Sequence, residues 1–315
     1  WEKAEKLDVR YIATGNLWKM DDRFQLTIEI YDTKETIIMW SDRWEESWDN
    51  LPSIKGSLSD GLLKALDTKP KVEQKVDTTN PEAYEFYLKA KHKYDKRVNT
   101  DDIEIVRGLL HKAIELDDNL VSAKLLLSMT YSNMGDYDKA MEIFIPTLKQ
   151  AEELGDKGGM GVSLNNIGNV HSDKGDYDKA LDYYERSLQI KGEIGYKRGM
   201  GHSLINIGSV YKDKGDYKKA EEYFQKSLAI QKEIGLGVGS LMLETTIYLY
   251  LTYKHLGKEY DVKEIHTLIK EAENIEFELN LRLYQLLDDK SHLESAYNQI
   301  QEKADNLEPD VAAKF

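Results

Sequence analysis

The 315-residue sequence contains no cysteine, no excess of basic residues and no long apolar run. Without thiols it can form no disulfide, no thiolate nucleophile and no cysteine-ligated zinc site. No stretch approaches the roughly 20 apolar residues that a membrane-spanning helix needs. The net charge of -14 argues against a general binder of the nucleic-acid backbone. The lack of cysteine does not choose between cytoplasm and periplasm, although we favour the cytoplasm.

Motifs of known catalytic sites are also missing. The sequence has no Gly-x-Ser-x-Gly elbow and no His-Glu-x-x-His pair. None of its seven histidines stands three or four residues from another, as a helical metal site would require. The glycine-rich segment 155–161 lacks the Gly-Lys-Ser/Thr ending of a phosphate loop, and its glycines recur 40 residues later, so we interpret both segments as turns between repeats. We predict no enzymatic site, no metal and no cofactor.

A period of 40 residues runs through the middle of the chain. The pattern Gly-Asp-Tyr-x-Lys-Ala begins at Gly135, Gly175 and Gly215, and the preceding segment 166–168 recurs as 206–208. The apolar spacing around each Gly-Asp predicts a helix, a turn and a second helix, with glycine ending the first helix and aspartate capping the second. Short units bury their apolar faces only against neighbours, so the period predicts a stack, and such stacks typically bind other molecules.

The glycine, tyrosine, alanine and aromatic positions of the two best units closely resemble the tetratricopeptide repeat. We expect Gly168 and Gly208 on the first helices to face Ala180 and Ala220 on the second helices. The 40-residue variety resembles the regulatory subfamily found in mitotic-spindle scaffolds and in bacterial peptide-sensing regulators. The resemblance implies a mainly α fold, with about six helix pairs in a right-handed superhelix over residues 80–307 and a tail at 308–315.

In the resembled repeat, the first helices line a concave groove that holds a protein or an extended peptide. The positions carried over to that groove are Leu125, Met129, Ser132, Asn133, Asn165, Asn166, Asn169, Asp173, His202, Asn206, Ser209, Lys212 and Asp213. Side-chain amides both donate and accept hydrogen bonds, so these asparagines suit the backbone of an extended peptide. The other interpretation is that Asn166 and Asn206 only bond between neighbouring helices. The carboxylate clamp of related co-chaperones is missing, because the matching places hold Leu125, Asn165, His202 and Asn206.

Residues 1–68 follow a different pattern. The runs 9–20, 23–31 and 36–43 alternate with period two and predict a three-stranded antiparallel meander. An apolar stripe from Trp48 to Leu66 predicts one helix that covers the sheet, and residues 69–79 form a linker. Such a thin α+β unit leads us to expect a fragment. The segments 9–17, 24–32 and 39–44 resemble the second half of the TolB-like domain, which many bacterial proteins join to tetratricopeptide repeats, often in class III adenylate or guanylate cyclases.

The sequence therefore predicts a non-enzymatic region that binds a peptide or a partner protein. Its wider role would be the C-terminal sensor or interaction arm of a larger bacterial signalling protein, such as a class III nucleotide cyclase. The alternative is a free-standing scaffold that forms a homodimer through an exposed sheet edge. Substitution of Asn165, Asn169 and Asn206 by alanine should separate the two, because only the first role depends on them.

Overall fold

The computed structural model describes residues 11–20, 23–32, 37–47, 80–97, 100–234, 240–272 and 275–305. Within these ranges a three-stranded antiparallel sheet precedes twelve helices, which confirms the predicted fold class. The helix predicted at 48–66, the linker at 69–79 and the tail at 308–315 lie outside the described residues. The described helices are all too short or too polar to span a bilayer.

The sheet contains β1 (Tyr11–Met20), β2 (Arg23–Asp32) and β3 (Ile37–Ser47), in that spatial order. All neighbouring strands are antiparallel, and the β2–β3 register shifts between Ile30 and Tyr31. Phe24 and Ile30, two members of the predicted apolar face of β2, are buried. The predicted meander is thus confirmed, although β3 continues four residues beyond its expected end at Arg43.

The chain divides into two compact units. The first contains the described residues up to His92 together with Val106–Leu127. It includes the sheet, most of α1 (Pro81–Asp95), the larger part of α2 (Thr100–Leu116) and the start of α3 (Val121–Ser132). Asn80 joins two of these helices, because its Oδ1 accepts from the N–H of Ala83 at 3.1 Å and its Nδ2 donates to the carbonyl of Leu116 at 3.0 Å.

The second unit contains Lys93–Ile105 and the described residues from Ser128 onward. Its complete helices are α4 (Tyr137–Leu154), α5 (Lys157–Asp173), α6 (Tyr177–Glu193), α7 (Lys197–Asp213), α8 (Tyr217–Glu233), α9 (Ser240–Leu256), α10 (Val262–Glu271), α11 (Phe277–Leu287) and α12 (Lys290–Asp305). Helix α5 packs on α6, α7 on α8 and α11 on α12. Contacts of α4 with α5, α6 with α7 and α8 with α9 join successive pairs, so each pair covers its neighbour as the repeat pattern requires.

The turns inside the repeats follow the expected chemistry with one exception. Gly175 has a φ of 79°, the left-handed conformation that glycine adopts without strain. At the start of the second helices, Asp136 and Asp216 each accept a hydrogen bond from the backbone N–H three residues later. Asp176 makes no such cap, and its Oδ2 lies 3.3 Å from His171 Nδ1 instead. The capping prediction is therefore confirmed at two turns and wrong at the third.

Two predictions about glycines are corrected by the packing. Helix α5 already begins at Lys157, so most glycines of segment 155–161 lie within its first turns rather than in a turn between repeats. The atoms nearest to Gly168 belong to Tyr184 rather than to Ala180: a Cβ at Gly168 would lie 2.7 Å from Tyr184 Cδ1. Gly208 has the same relation to Phe224. The glycines therefore make room for the aromatic ring of the second helix.

Candidate partner-binding face

The predicted groove residues of the two best repeats lie on α5 and α7, and four of them form what we call the amide face: Asn165, Asn166, Asn169 and Asn206. Asn206 Nδ2 donates to Asn169 Oδ1 at 3.0 Å, which joins α7 to α5. The hydroxyl of Tyr184, on α6, donates to the same oxygen at 2.8 Å. These bonds use one half of each amide. Asn169 Nδ2 and Asn206 Oδ1 have no hydrogen-bond partner within the described ranges.

A second cluster lies around Asn165. Its Oδ1 accepts from Ser203 Oγ at 2.9 Å and from Lys191 Nζ at 3.2 Å. Lys191 Nζ also donates to Ser203 Oγ at 2.9 Å, so α5, α6 and α7 meet at one group of hydrogen bonds. Asn165 Nδ2 remains without a partner in the part of the chain that the structure describes. Both interpretations of the asparagines therefore have support, because the amides bond between helices and still keep unused atoms.

Asn166 differs from its counterpart Asn206. Its Nδ2 is buried and has no hydrogen-bond partner in the structure described. Asn206 donates to Asn169, and the residue that Asn166 would need as the corresponding acceptor is Met129, forty residues before Asn169. Met129 is half-buried and carries no amide oxygen. The same backbone arrangement therefore leaves Asn166 with an unsatisfied donor. A buried donor without a partner costs free energy, so Asn166 lowers the stability of the folded chain.

The N-terminal end of the predicted groove is only partly available. Leu125 belongs to the first unit and is 6% exposed, so it offers little surface. Ser132 is half-buried. Asn133 is exposed, and its Nδ2 donates to the hydroxyl of Tyr94 at 2.5 Å. Burial raises the pKa of Tyr94 above its usual range, although Arg97 and this hydrogen bond oppose the shift.

The remaining predicted residues extend along the ends of α5 and α7. Lys212 Nζ lies 3.1 Å from Asp213 Oδ1 and 5.3 Å from the ring centroid of Tyr248, so its charge is already engaged. Ser209 is half-buried. Burial raises the pKa of Asp173, and a hydrogen bond from Tyr137 opposes that shift.

His202 lies near positively charged side chains, unlike the acidic residues Asp173 and Asp213 at the ends of α5 and α7. Its side chain is accessible, but neighbouring atoms desolvate the ring. Desolvation lowers the pKa of His202, and the positive charges of Lys191 and Arg198 lower it further. Lys191 of α6 and Arg198 of α7 therefore lie near His202, whose lowered pKa leaves its ring mostly neutral at pH 7. Among the described residues, no group of three histidine or carboxylate side chains could hold a metal ion.

Comparisons with known proteins agree with the helical architecture. Residues 120–193 and 160–233 each match the tetratricopeptide repeat family model. The curated proteins give no significant match. The apo form of RapI is similar in structure, with 15% identity, a TM-score of 0.55 and coverage of 71% of this chain and 84% of that chain. A Rap protein complexed with Competence and Sporulation Factor has 15% identity and a TM-score of 0.56, with 79% of this chain and 70% of that chain covered.

At such low identity the two solved structures show the fold alone. The family match covers both best repeats, including the amide face and Lys191. The match and the shared fold support a tetratricopeptide-repeat architecture, a kind that is used in protein–protein interaction. The tetratricopeptide repeats identified by the family model extend from residue 120 to residue 233.

Proposed function

We propose that the amide face binds an extended segment of a peptide or a partner protein. The observation that carries this proposal is the set of unused amide atoms: the Nδ2 donors of Asn165 and Asn169 and the Oδ1 acceptor of Asn206. Bonds between helices hold the other half of each amide, so the unused atoms are fixed before a ligand arrives. A preorganised site loses less side-chain entropy on binding. An extended backbone offers both carbonyl and N–H groups to such a face.

The similar Rap structure adds indirect support. That protein was solved in complex with Competence and Sporulation Factor, so the shared fold is compatible with holding a partner. In the present chain we place the partner over α5 and α7, because these helices carry the unused amide atoms. The backbone carbonyls of the partner would accept hydrogen bonds from Asn165 and Asn169, and one of its backbone N–H groups would donate to Asn206.

The sharpest test changes only the unused half of one amide. In Asn169→Asp the Oδ1 that accepts from Tyr184 and Asn206 is retained, while the unused Nδ2 donor becomes a carboxylate oxygen. Gln189→Glu is the matched control, since it makes the same chemical change on an exposed position of α6, in the same repeat. The probe is a peptide selected on the wild-type protein from a random library, and its affinity is measured by calorimetry.

We expect Asn169→Asp to weaken binding of the selected peptide by roughly 10-fold or more, because a donor is replaced by a repelling acceptor. Gln189→Glu should bind as the wild type does. Substitution of Asn165, Asn169 and Asn206 by alanine should abolish binding. If Asn169→Asp and the triple variant both retain wild-type affinity, the amide face is not the binding site.

We further propose that this face belongs to an interaction arm of a larger bacterial signalling protein, such as a class III nucleotide cyclase. This part rests on the resemblance of the strand segments 9–17, 24–32 and 39–44 to a TolB-like domain. The open reading frame upstream of Trp1 tests it directly. A cyclase domain there, with cyclic-nucleotide output that changes in Asn169→Asp, is the expected result, and an upstream region without any catalytic domain would contradict it.

The scaffold alternative is favoured by one observation on the sheet. Strands β1 and β3 each pair on one side only among the described strands, and an edge strand is a template for a second copy. A homodimer formed in this way would survive the triple alanine substitution of the amide face. Light scattering on the wild-type and triple variants measures this, and a monomeric wild type at high concentration would exclude the sheet-edge dimer.

A further inference from the structure

Lys191 is a buried cation without a carboxylate partner among the described residues. It lies on α6 and is 4% exposed. Its ammonium group donates to two neutral oxygens, Asn165 Oδ1 and Ser203 Oγ, so one of its three N–H donors has no partner in the part of the chain that the structure describes. Burying a charge without an opposite charge costs free energy. Burial accordingly lowers the pKa of Lys191 to about 8.

Packing of the repeats does not require this charge. The positions 40 residues earlier and later hold Ala151 and Gln231, and both are buried. Gln231 Nε2 donates to Thr245 Oγ1 at 2.8 Å, much as Lys191 donates to the hydroxyl of Ser203 on the first helix of the following pair. A neutral amide therefore makes the equivalent bond between pairs. The positive charge at Lys191 needs another explanation than helix packing.

The stem of Lys191 packs closely against two glycines. A Cβ at Gly161 of α5 would lie 3.2 Å from Lys191 Cγ, and a Cβ at Gly199 of α7 would lie 3.1 Å from Lys191 Cδ. The side chain thus passes between the first turns of the two helices and ends at Asn165, which is a half-buried member of the amide face. Gly161 leaves room for this long side chain, whereas an added Cβ at Gly199 would meet the ring of Tyr196 before it met Lys191.

Two further basic groups accompany the ammonium. Arg198 and His202 are both exposed on α7, and their charges interact with one another, while Lys191 also acts on His202. No described carboxylate forms an ion pair with any of the three. The protein as a whole carries a net charge of -14, so the unpaired positive charges of Lys191 and Arg198 are a local exception. Such an exception attracts anions.

We propose that Lys191, with Arg198 and His202 at its rim, binds one carboxylate group of the segment that lies on the amide face. The inference rests on the proposed function and specifies the chemistry of its ligand. The carboxylate belongs to an aspartate or glutamate side chain or to a chain terminus. It takes up the remaining N–H of Lys191 and removes the penalty of the unpaired charge. A charge-assisted hydrogen bond of this kind corresponds to roughly 10- to 100-fold in affinity.

Three acetylated pentapeptides serve as probes. The first is amidated polyalanine with a central aspartate, the second is pentaalanine with a free terminal carboxylate, and the third is amidated polyalanine with a central asparagine. The proteins are the wild type, Lys191→Gln and the control Lys214→Gln. Lys214 is a basic residue at the end of α7 that pairs with Asp178 at 2.6 Å, so its removal makes the same change in net charge away from the amide face. Binding is followed by NMR of the lysine side chains and the asparagine amides.

We expect the wild type and Lys214→Gln to bind at least one carboxylate peptide 10- to 100-fold more tightly than the asparagine peptide. Comparison of the first two peptides tells a side-chain carboxylate from a terminal one. Lys191→Gln should bind all three peptides alike, and it should fold because Gln231 fills the equivalent place. Lys191→Met is a second variant without the charge, with the same expected result.

Persistence of the carboxylate preference in both Lys191 variants, or its absence in the wild type, would overturn the inference. The signals of Asn169 and Asn206 separate this failure from failure of the proposed function. If the asparagine peptide shifts them without any preference for a carboxylate, the amide face still binds backbone and only the carboxylate site is wrong. If none of the three peptides binds, both proposals are contradicted.

Discussion

Replacement of Gly168 by alanine tests the closest approach of α5 to α6. The added Cβ would lie 2.7 Å from two ring atoms of Tyr184 and 3.2 Å from a third. Tyr184 is 2% exposed, and its hydroxyl is bonded to Asn169 at 2.8 Å, so the ring cannot move away without losing that bond. The ring of Tyr184, which holds Asn169 of the amide face through this bond, would therefore be displaced.

The expected size of the effect follows from three contributions. Overpacking of a well-packed core costs about 1–3 kcal/mol. Loss of the hydrogen bond from Tyr184 to Asn169 adds about 1 kcal/mol. Alanine is the better helix former by about 1 kcal/mol, which offsets part of the cost. The free energy of unfolding should therefore fall by about 2 kcal/mol in Gly168→Ala.

Urea unfolding followed by circular dichroism measures this change, and Gly108→Ala is the matched control. Gly108 lies within α2, where a Cβ would meet nothing within 4 Å, so alanine should stabilise the protein by about 0.5–1 kcal/mol. Gly208→Ala should cost less than Gly168→Ala, because Phe224 has no hydroxyl to lose. A Gly168→Ala protein as stable as the Gly108→Ala protein would refute the reasoning about close packing.

Two other predictions concern buried polar groups. Asn166→Leu should leave the free energy of unfolding unchanged or raise it by about 1 kcal/mol, since an unsatisfied donor is removed. Asn206→Leu should lower it by about 1 kcal/mol, because the hydrogen bond to Asn169 is lost. Equal losses of stability in urea unfolding would contradict this contrast. Burial and then the charge of Glu276 raise the pKa of Glu244 from 4.5 to about 7, so its folded form keeps a proton that the unfolded form has lost, and stability falls as pH rises through that window. Glu244→Gln should match the wild type in stability near pH 4 and exceed it by up to about 3 kcal/mol near pH 8, and a difference independent of pH would exclude this explanation.

The sequence could predict the helix pairs and strands because both leave a regular pattern. Periodicity indicates which side of a helix is buried, but it does not tell which residue of the partner helix lies opposite. Gly168 was therefore expected to face Ala180, whereas it lies against Tyr184, one helical turn further along α6. The segment 155–161 was interpreted as a turn between repeats because its glycines recur 40 residues later. Gly158, Gly159 and Gly161 lie in α5, and Gly161 leaves room for the stem of Lys191, a residue thirty positions away.

The candidate site was predictable in position but not in chemistry. The repeat pattern places asparagines on the first helices, yet only the structure shows which amide atoms are bonded and which are unused. Lys191 was missed because the resemblance assigns ligand contacts to first helices, and Lys191 is on a second helix. One signal was present in the sequence: the same repeat position holds Ala151, Lys191 and Gln231, a variation that uniform packing does not explain.

The unequal side chains on similar backbones make each repeat chemically distinct from its neighbours. Met129 is followed by the amides of α5, then by Lys191 beneath them and by the Lys212 and Asp213 pair further along α7. Identical units would let a bound peptide shift by one repeat at the same free energy. Repeats whose side chains differ from one another remove that degeneracy, so the duplicated scaffold sets the register of a bound peptide.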